Sequence, residues 1–378
     1  MTKIRLFLAH LLHALSCLSL RSKHTWVFIG WRRTENGEVF TDNTKYLYLY
    51  ILKNHRSLKV IWLAKSRQVA KEMNEAGLPS YYEKSLAGIF YALCAGVTVL
   101  DAFLPEFNYR FIGTSKIVQL LHGKGMKAGG YSTLPFKKND FIFTPSTFVE
   151  EILSDTFKAD ASLFVTGYPR SDGVLGCDYE RPLHVNTKDE VFLAEARKQN
   201  RTTILYAPTF RRGQTEVDLN STLDLKNLNA FLHDIDAHFF VSLHTKYRSL
   251  HISNEFDRVH ILSPQDFFPL YKYIDILITD YSSVFTDFLL LDRPIIFYPY
   301  DFEEYVASEG VLIDYDTITP GPKAKNPTEL VAVIKAVIAN DTFKQEREVI
   351  LNQYHTYNDN KSSERIIEIL IKELRLKA

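Results

Sequence analysis

The chain has 378 residues, and its 45 Lys and Arg balance its 45 Asp and Glu, so the formal net charge is zero. This balance argues against electrostatic binding of nucleic acid by the whole chain. Cys17, Cys94 and Cys177 are far apart and form no CxxC pair, which argues against a disulfide framework and a Cys-rich zinc site. The length predicts two domains of ordinary size.

Residues 4–20 form a mostly apolar segment with basic residues at both ends. The segment is short and is interrupted by His10 and His13, so it does not predict a membrane-spanning helix. Two interpretations stay open on equal terms: a helix buried in its own domain, or a helix lying on an anionic membrane surface. A secretory signal is less favoured because there is no clean small-x-small cleavage site. We assign residues 1–23 to this apolar, amphipathic helix.

The rest of the chain alternates short apolar runs, rich in β-branched and aromatic residues, with helical patterns such as 66–77, which ends at Gly77. Near-continuous apolar strands separated by helices are typical of parallel sheets covered on both faces. The predicted strands are 24–30, 58–63, 97–100, 116–121, 141–143 and 163–167 in the first half, and 202–207, 237–243, 258–262, 274–279 and 294–298 in the second.

A charged stretch without periodicity, 178–201, separates the two halves. The sequence therefore predicts an α/β fold with two parallel-sheet domains, residues 24–180 and residues 181–350. The final segment, 351–378, contains an amphipathic helical pattern that we expect to return to the first domain. Its regularly spaced apolar residues are Ile366, Ile367, Leu370, Ile371 and Leu374.

Ligands in such sheets bind beyond the carboxyl ends of the strands, so the residues that follow each strand are the candidates for a site. His122 follows the strand predicted at 116–121, and an imidazole there can take a proton from an attacking hydroxyl. The glycines and lysines after it let the backbone approach a ligand and supply positive charge. We place Gly123, Lys124 and Lys127 on the acceptor side.

Arg170 and Asp172 follow the strand predicted at 163–167. Arg170 can grip a phosphate while Asp172 orients it. Taken alone, this pair is more typical of an ordinary turn with an exposed ion pair.

In the second half, Thr209 and Arg211 follow the strand predicted at 202–207 and can form a cradle for an oxyanion. His244 and Lys246 follow the next strand and pair another imidazole with a cation. A third set follows the strand predicted at 274–279, where serines at a helix N-terminus can bind an anion or simply cap the helix. This set is Asp280, Ser282 and Ser283.

Together these residues predict a diphosphate site in a cleft between two domains. A GxGxxG fingerprint after the first strand and a GxxxxGK[ST] loop are both absent from the sequence, which disfavours dinucleotide oxidoreductases and P-loop enzymes. The Asp-x-Asp pairs at 234/236 and 314/316 follow no clear strand, so we expect no metal or other cofactor.

The sequence motifs around these candidate residues, and their order along the chain, resemble those of the CDP-glycerol glycerophosphotransferases of teichoic acid and capsule synthesis. The resemblance extends from about His122 to Tyr305, and the block TDYSSVFTDF followed by RPIIFYPYDFEEY is its most specific part. The other matching blocks, in chain order, are HGKGMK, GYPRSD, LYAPTFR and LHTK.

The resemblance implies two Rossmann-like domains in a GT-B-like arrangement. It implies transfer of glycerol phosphate, or ribitol phosphate, from CDP-glycerol or CDP-ribitol to a hydroxyl of a lipid-linked acceptor, with release of CMP. This would occur at the cytoplasmic face of the cell membrane, on a peripheral protein and without a metal. Residue by residue, the family's essential histidines correspond to His122 and His244, its donor-phosphate serines to Ser282 and Ser283, and a motif arginine to Arg211.

The sequence departs from the family pattern in two places. The family's Trp-His-Gly-Thr-Pro-Leu-Lys is Leu-His-Gly-Lys-Gly-Met-Lys here, at residues 121–127, and Phe210 replaces a tryptophan. The first departure leaves acceptor recognition open. Two other functions also stay open: a GT-B glycosyltransferase that uses a nucleotide sugar, and a non-catalytic protein that binds polymer at a membrane surface.

Overall fold

The computed structural model describes the chain outside residues 1–2, 32, 35–36, 103, 124–138, 154–159, 182, 212–217, 244–254, 264, 311–312 and 377–378, and omits the side chains of 3–5, 33–34 and 37. The described residues divide into two compact units. The first contains Met1–His122, Tyr131–His184 and His355–Ala378, and the second contains Gly123–Gly130 and Val185–Tyr354.

The first unit is built on a parallel sheet of seven strands in the order β5-β4-β1-β6-β7-β8-β9, with a separate antiparallel hairpin of β2 and β3. The strand order reverses direction between β1 and β6, and the carboxyl ends of two such strands border the crevice where α/β sheets bind ligands. The strands are β1 Ser22–Ile29, β2 Arg33–Thr34, β3 Gly37–Glu38, β4 Lys59–Ala64, β5 Ser80–Tyr82, β6 Ala95–Leu100, β7 Lys116–Gln119, β8 Phe141–Thr144 and β9 Ser162–Val165.

Helices cover the sheet of the first unit, so apolar side chains on the strands are buried on both faces. Local chemistry sets the helix ends: the Ser66 hydroxyl accepts the Val69 N–H at 3.1 Å at the start of α3, and Gly77 follows its end with φ of +74°. The helices are α1 Lys3–Ser16, α2 Asp42–Asn54, α3 Arg67–Glu75, α4 Leu86–Cys94, α5 Glu106–Ile112, α6 Thr147–Glu151 and α7 Pro169–Val174.

The second unit has a parallel sheet of five strands in the order β12-β11-β10-β13-β14, which reverses between β10 and β13. Its strands are β10 Thr202–Ala207, β11 Ala237–Val241, β12 Val259–Ile261, β13 Ile276–Thr279 and β14 Ile295–Phe297. Its α-helices are α8 Thr187–Lys198, α9 Leu219–Leu223, α10 Leu225–Asp234, α11 Val284–Phe288, α12 Phe302–Glu309, α13 Tyr315–Ile318, α14 Pro327–Ala339 and α15 Lys344–Tyr354, and Phe268–Tyr273 and Leu289–Leu291 are 3₁₀ helices.

The last helix, α16 Ser362–Glu373, belongs to the first unit, where Ile366, Ile367 and Leu370 are buried in the core with α2. All eleven predicted strands are present, and the predicted fold class, two parallel-sheet α/β domains, is confirmed. The sequence analysis did not predict the short strand β5 or the β2–β3 hairpin. The stretch 178–201, which has no clear periodicity, contains α8.

Helix α1 packs one narrow side on α5 and exposes the rest. Ala9 is buried, and the His13 ring stacks on Tyr109 with centroids 4.1 Å apart. Most of the large apolar side chains described in α1 and in the turn after it are exposed, from Leu12 at 36% to Leu20 at 94%. Among the described helices, none is both long and apolar enough to cross a bilayer.

Candidate functional site

His122 lies beyond β7, at the carboxyl edge of the first sheet. Its Nδ1 is 3.2 Å from the carbonyl oxygen of Asp101, the residue that follows β6. Its ring lies against the indole of Trp31, which comes shortly after β1, with centroids 4.5 Å apart. The predicted base is therefore contacted by residues from both strands that border the switch point of this sheet.

The backbone next to His122 is strained and is held by hydrogen bonds. Leu121 has φ of +61°, a conformation that costs a non-glycine residue about 1–3 kcal/mol. The buried Asn43 amide donates to the Leu121 carbonyl at 2.9 Å, and the Gln119 side chain accepts the Leu121 N–H at 3.1 Å. Gly123 follows with φ of +97°, which glycine adopts readily.

Three successive residues at the start of α2 each hold a different part of this region. Asn43 holds the backbone before His122, as described above. Thr44 donates from its backbone N–H and its hydroxyl to the Asp101 carboxyl group, at 2.8 and 2.5 Å. Asp42 accepts the Trp31 indole N–H at 2.7 Å. The start of α2 thus anchors the loops after β1, β6 and β7.

Arg170, a predicted phosphate ligand, is 1% exposed and donates from Nη1 to Asp42 at 2.8 Å. Burial alone would raise the pKa of Asp42, but the Arg170 guanidinium outweighs it and lowers that pKa. Burial, followed by the Asp42 charge, raises the pKa of Asp101 well above its ordinary value. The two carboxyl groups therefore favour a single negative charge, which Arg170 balances.

Asp172, the other predicted residue of this loop, binds the start of α16. Its carboxylate accepts the backbone N–H groups of Ser362 and Ser363 at 2.8 and 2.9 Å and the Tyr179 hydroxyl at 2.7 Å. Burial raises the pKa of this carboxyl group. These contacts show that Arg170 and Asp172 stabilise the fold of the first unit. Phosphate binding by either residue stays a prediction.

In the second unit, Asp280 joins the loops that follow β10 and β13. Its Oδ1 accepts the Thr209 N–H at 2.8 Å and the Tyr281 N–H at 2.6 Å, so these loops meet at one oxygen. Asp280 is fully buried. The Thr209 hydroxyl is also buried, and it has no hydrogen-bond partner among the described residues.

Arg211 is the centre of this arrangement. Its guanidinium donates to the Thr209 carbonyl at 2.6 Å, to Asp280 at 2.8 Å, and to Asp301, beyond β14, at 2.6 and 2.9 Å. Burial alone would lower the pKa of Arg211, but Asp280 and Asp301 raise it. The guanidinium thus ties together three strand-end loops, and its direct contact with phosphate stays a prediction.

The predicted serines precede α11, at the carboxyl end of β13. Ser283 is the N-cap residue but its side chain makes no capping hydrogen bond, and the Ser282 hydroxyl accepts the Val284 N–H only at 3.4 Å. Simple capping therefore does not occupy these hydroxyl groups strongly. Both side chains are partly exposed beside the loop fixed by Asp280.

The remaining predicted site residues, Lys124, Lys127, His244 and Lys246, lie outside the described residues. The structure also brings to the site residues that the sequence analysis did not select. Trp31 and Asp101 could have been found by the rule already applied, since they come at the ends of the predicted strands 24–30 and 97–100. Asp42, Asn43 and Asp301 carried no comparable pattern.

Two Rossmann-like parallel sheets, each with polar groups gathered at its switch point, make the chain a two-domain α/β protein whose strand ends are suited to ligand binding. The family model of CDP-glycerol:poly(glycerophosphate) glycerophosphotransferase matches residues 14–372. The chain belongs to this family of enzymes, and the resemblance inferred from its motifs is confirmed over most of its length.

Curated relatives include enzymes of both glycerol-phosphate and ribitol-phosphate chemistry. The chain is 34% identical over 353 residues to the teichoic acid ribitol-phosphate primase of Bacillus spizizenii, covering 87% of each protein. It is 28% identical over 342 residues to the teichoic acid poly(glycerol phosphate) polymerase of Bacillus subtilis, and this match covers 81% of the chain but 43% of that polymerase.

A solved structure of the wall teichoic acid polymerase TagF, from a variant soaked with CDPG, superposes with a TM-score of 0.74 at 20% identity. The match covers 99% of both chains. At this identity the likeness establishes the fold of the chain.

Proposed function

We propose that this chain transfers glycerol phosphate or ribitol phosphate from a CDP-activated alditol to an acceptor hydroxyl, releasing CMP, in teichoic-acid-like polymer synthesis. Family membership and the relatives of both chemistries support this reaction. The acceptor is a lipid-linked glycan or polymer. The lack of a metal requirement stays a prediction from the sequence.

In the proposed reaction the acceptor hydroxyl attacks the phosphorus that carries the alditol. A new bond forms between the acceptor oxygen and this phosphorus, the bridging P–O bond breaks, and CMP leaves with the electron pair. His122 takes the hydroxyl proton. Such transfers depend mainly on positioning and charge, with a general base contributing roughly 10²–10⁴-fold.

The second unit supplies the groups that hold the donor diphosphate. Thr209 offers a buried hydroxyl without a partner among the described residues, and Ser282 and Ser283 offer hydroxyls that capping leaves largely available. Neutral donors of this kind stabilise non-bridging phosphate oxygens. Arg211 keeps the three loops in place.

The observation that carries the proposal is the contact of His122 Nδ1 with the Asp101 carbonyl, which suits an imidazole whose Nε2 acts as a base. The test is CMP release from CDP-glycerol and CDP-ribitol with a lipid-linked acceptor, followed by chromatography. His122→Ala should lose at least about 100-fold in rate while calorimetry shows unchanged donor affinity. His233→Ala, on the exposed side of α10, is the matched control and should behave as wild type.

Wild-type protein that releases no CMP from either donor would refute the proposed reaction, and activity with nucleotide sugars alone would establish the glycosyltransferase alternative. Normal turnover by His122→Ala would refute only the assignment of the base.

We also propose that the chain acts at the cytoplasmic face of the cell membrane, bound through the exposed side of α1. The turn after α1 is tied to α4, because Ser19 donates to the Leu93 carbonyl at 2.9 Å. Helix α4 itself exposes Leu86 and Phe90. An apolar surface of this kind favours insertion into the interfacial region of a bilayer.

Sedimentation with vesicles containing phosphatidylglycerol tests this surface. Phe7→Glu should reduce the bound fraction several-fold, because it places a charge where apolar area would be buried. Val349→Glu, on the second unit and equally exposed at 66%, is the control. Equal binding by wild type and Phe7→Glu would contradict the proposal.

A further inference from the structure

We propose that Trp31, held by Asp42, is a positioning residue that orients the His122 imidazole. The inference rests on the proposed function, in which His122 is the base. It assigns to Trp31 a role that the motifs do not indicate, because this residue lies outside the blocks that carry the resemblance.

The first step of the argument is the ring contact. The Trp31 and His122 ring centroids are 4.5 Å apart and the planes are tilted by 37°. An indole at this distance occupies one side of the imidazole and limits its rotation about the Cβ–Cγ bond. The contact can fix the orientation of the histidine only if the tryptophan is itself fixed.

The second step is the anchor of the tryptophan. Its Nε1–H donates to Asp42 Oδ2 at 2.7 Å, and the other oxygen of this buried carboxylate accepts from Arg170 at 2.8 Å. A charge-assisted hydrogen bond to a buried, paired carboxylate is strong and directional. The indole is therefore held at its edge by the start of α2 while its face meets the histidine.

The third step concerns the tautomer. A carbonyl oxygen can only accept a hydrogen bond, so the Asp101 carbonyl favours the imidazole with its proton on Nδ1 and a lone pair on Nε2. Rotation of the ring would break this contact. Trp31 thus keeps the ring in the orientation in which Nε2 can accept a proton from an acceptor hydroxyl.

Trp31 is 37% exposed, so its removal need not disrupt the core. We expect Trp31→Ala to lower kcat for CMP release by about 10- to 100-fold with little change in KM for the donor, because misplacing a catalytic group has effects of this size. Trp31→Phe keeps a ring against the imidazole but loses the N–H that Asp42 holds, so it should recover only part of the rate. Tyr357→Ala, a residue of the same unit at 38% exposure, is the matched control.

A second readout does not depend on activity. Long-range ¹H–¹⁵N spectra of histidine-labelled protein, with the His122 signals assigned through His122→Gln, report the tautomer. Wild type should show the Nδ1–H form near neutral pH, and Trp31→Ala should show a mixture of tautomers. Thermal melts check that the variants are folded.

An unchanged tautomer and unchanged kcat in folded Trp31→Ala would overturn the positioning role while leaving the proposed reaction intact. If wild type releases no CMP, the proposed reaction fails, and the tautomer spectra still decide whether Trp31 orients His122.

Discussion

Replacing Arg211 by alanine is the most direct test of how the second unit is assembled. Among the described residues, the guanidinium donates two hydrogen bonds to Asp301 and one each to Thr209 and Asp280. The substitution leaves the fully buried Asp280 without its cation. Removing one partner of a buried ion pair typically costs about 3–5 kcal/mol.

For a unit of this size, 1 kcal/mol corresponds to a change in Tm of roughly 2–4 °C, so Arg211→Ala should lower the Tm of the second unit by about 6–20 °C. Arg211→Lys keeps the charge but cannot form the paired contacts with Asp301, and should lose about half as much. Arg258→Ala is the control, because its ion pair with Asp236 is exposed to solvent and its loss should change the Tm far less.

The assay can separate the two units because Trp26, Trp31 and Trp62 are the three tryptophans of the chain and all lie in the first unit. Tryptophan fluorescence therefore follows that unit, whereas far-ultraviolet circular dichroism follows both. In urea, Arg211→Ala should shift an early part of the dichroism transition and leave the fluorescence midpoint in place. A dichroism transition no different from that of Arg258→Ala would refute the reasoning.

Three further predictions concern other parts of the molecule. Asp172→Ala should destabilise α16 by about 2 kcal/mol or more, because two backbone N–H groups and a hydroxyl lose a charged acceptor, and hydrogen exchange of residues 362–373 should accelerate. Thr209→Val should weaken donor binding about tenfold in calorimetry without lowering stability, since the hydroxyl has no partner among the described residues. Burial, and then the neighbouring His260, lower the pKa of His238 to about 4. The neutral form therefore stabilises the fold above about pH 6.5, and this contribution is lost as the pH falls toward 4. His238→Phe should reduce the loss of stability between pH 7.5 and pH 5, measured by urea unfolding, by about 2 kcal/mol.

Each of these predictions has a clear contrary result. Unchanged exchange in α16 would mean that the helix is held by its apolar face alone. Normal affinity of Thr209→Val would remove this hydroxyl from the donor site. An identical pH dependence in His238→Phe would show that another group titrates.

The strands could be predicted from the sequence because each is a buried apolar run between turn residues, as in TTILYA at 202–207. The strand β5, with only three residues, is too short to give such a pattern. Helix α8 was not predicted, because only Leu193 and Ala196 are buried along its length and its sequence therefore has little apolar periodicity.

For the site, the rule that ligands meet strand ends was enough to select His122, Thr209 and Asp280. It could not show that Arg211 is held by Asp301, because that contact joins residues 90 positions apart. Likewise, Asn43 meets the Leu121 carbonyl across 78 positions. Such contacts depend on how the strands are ordered in the sheet, which local patterns do not encode.

The return of α16 to the first unit has a consequence for biosynthesis. On the ribosome, the five-stranded unit emerges before the helix that completes the seven-stranded one, because Ile366, Ile367 and Leu370 are translated after residues 185–354. The first unit therefore has an uncovered apolar groove along α2 until α16 has been synthesised. Nascent chains arrested before residue 362 should expose that groove to trigger factors and chaperones, and those arrested past residue 373 should not.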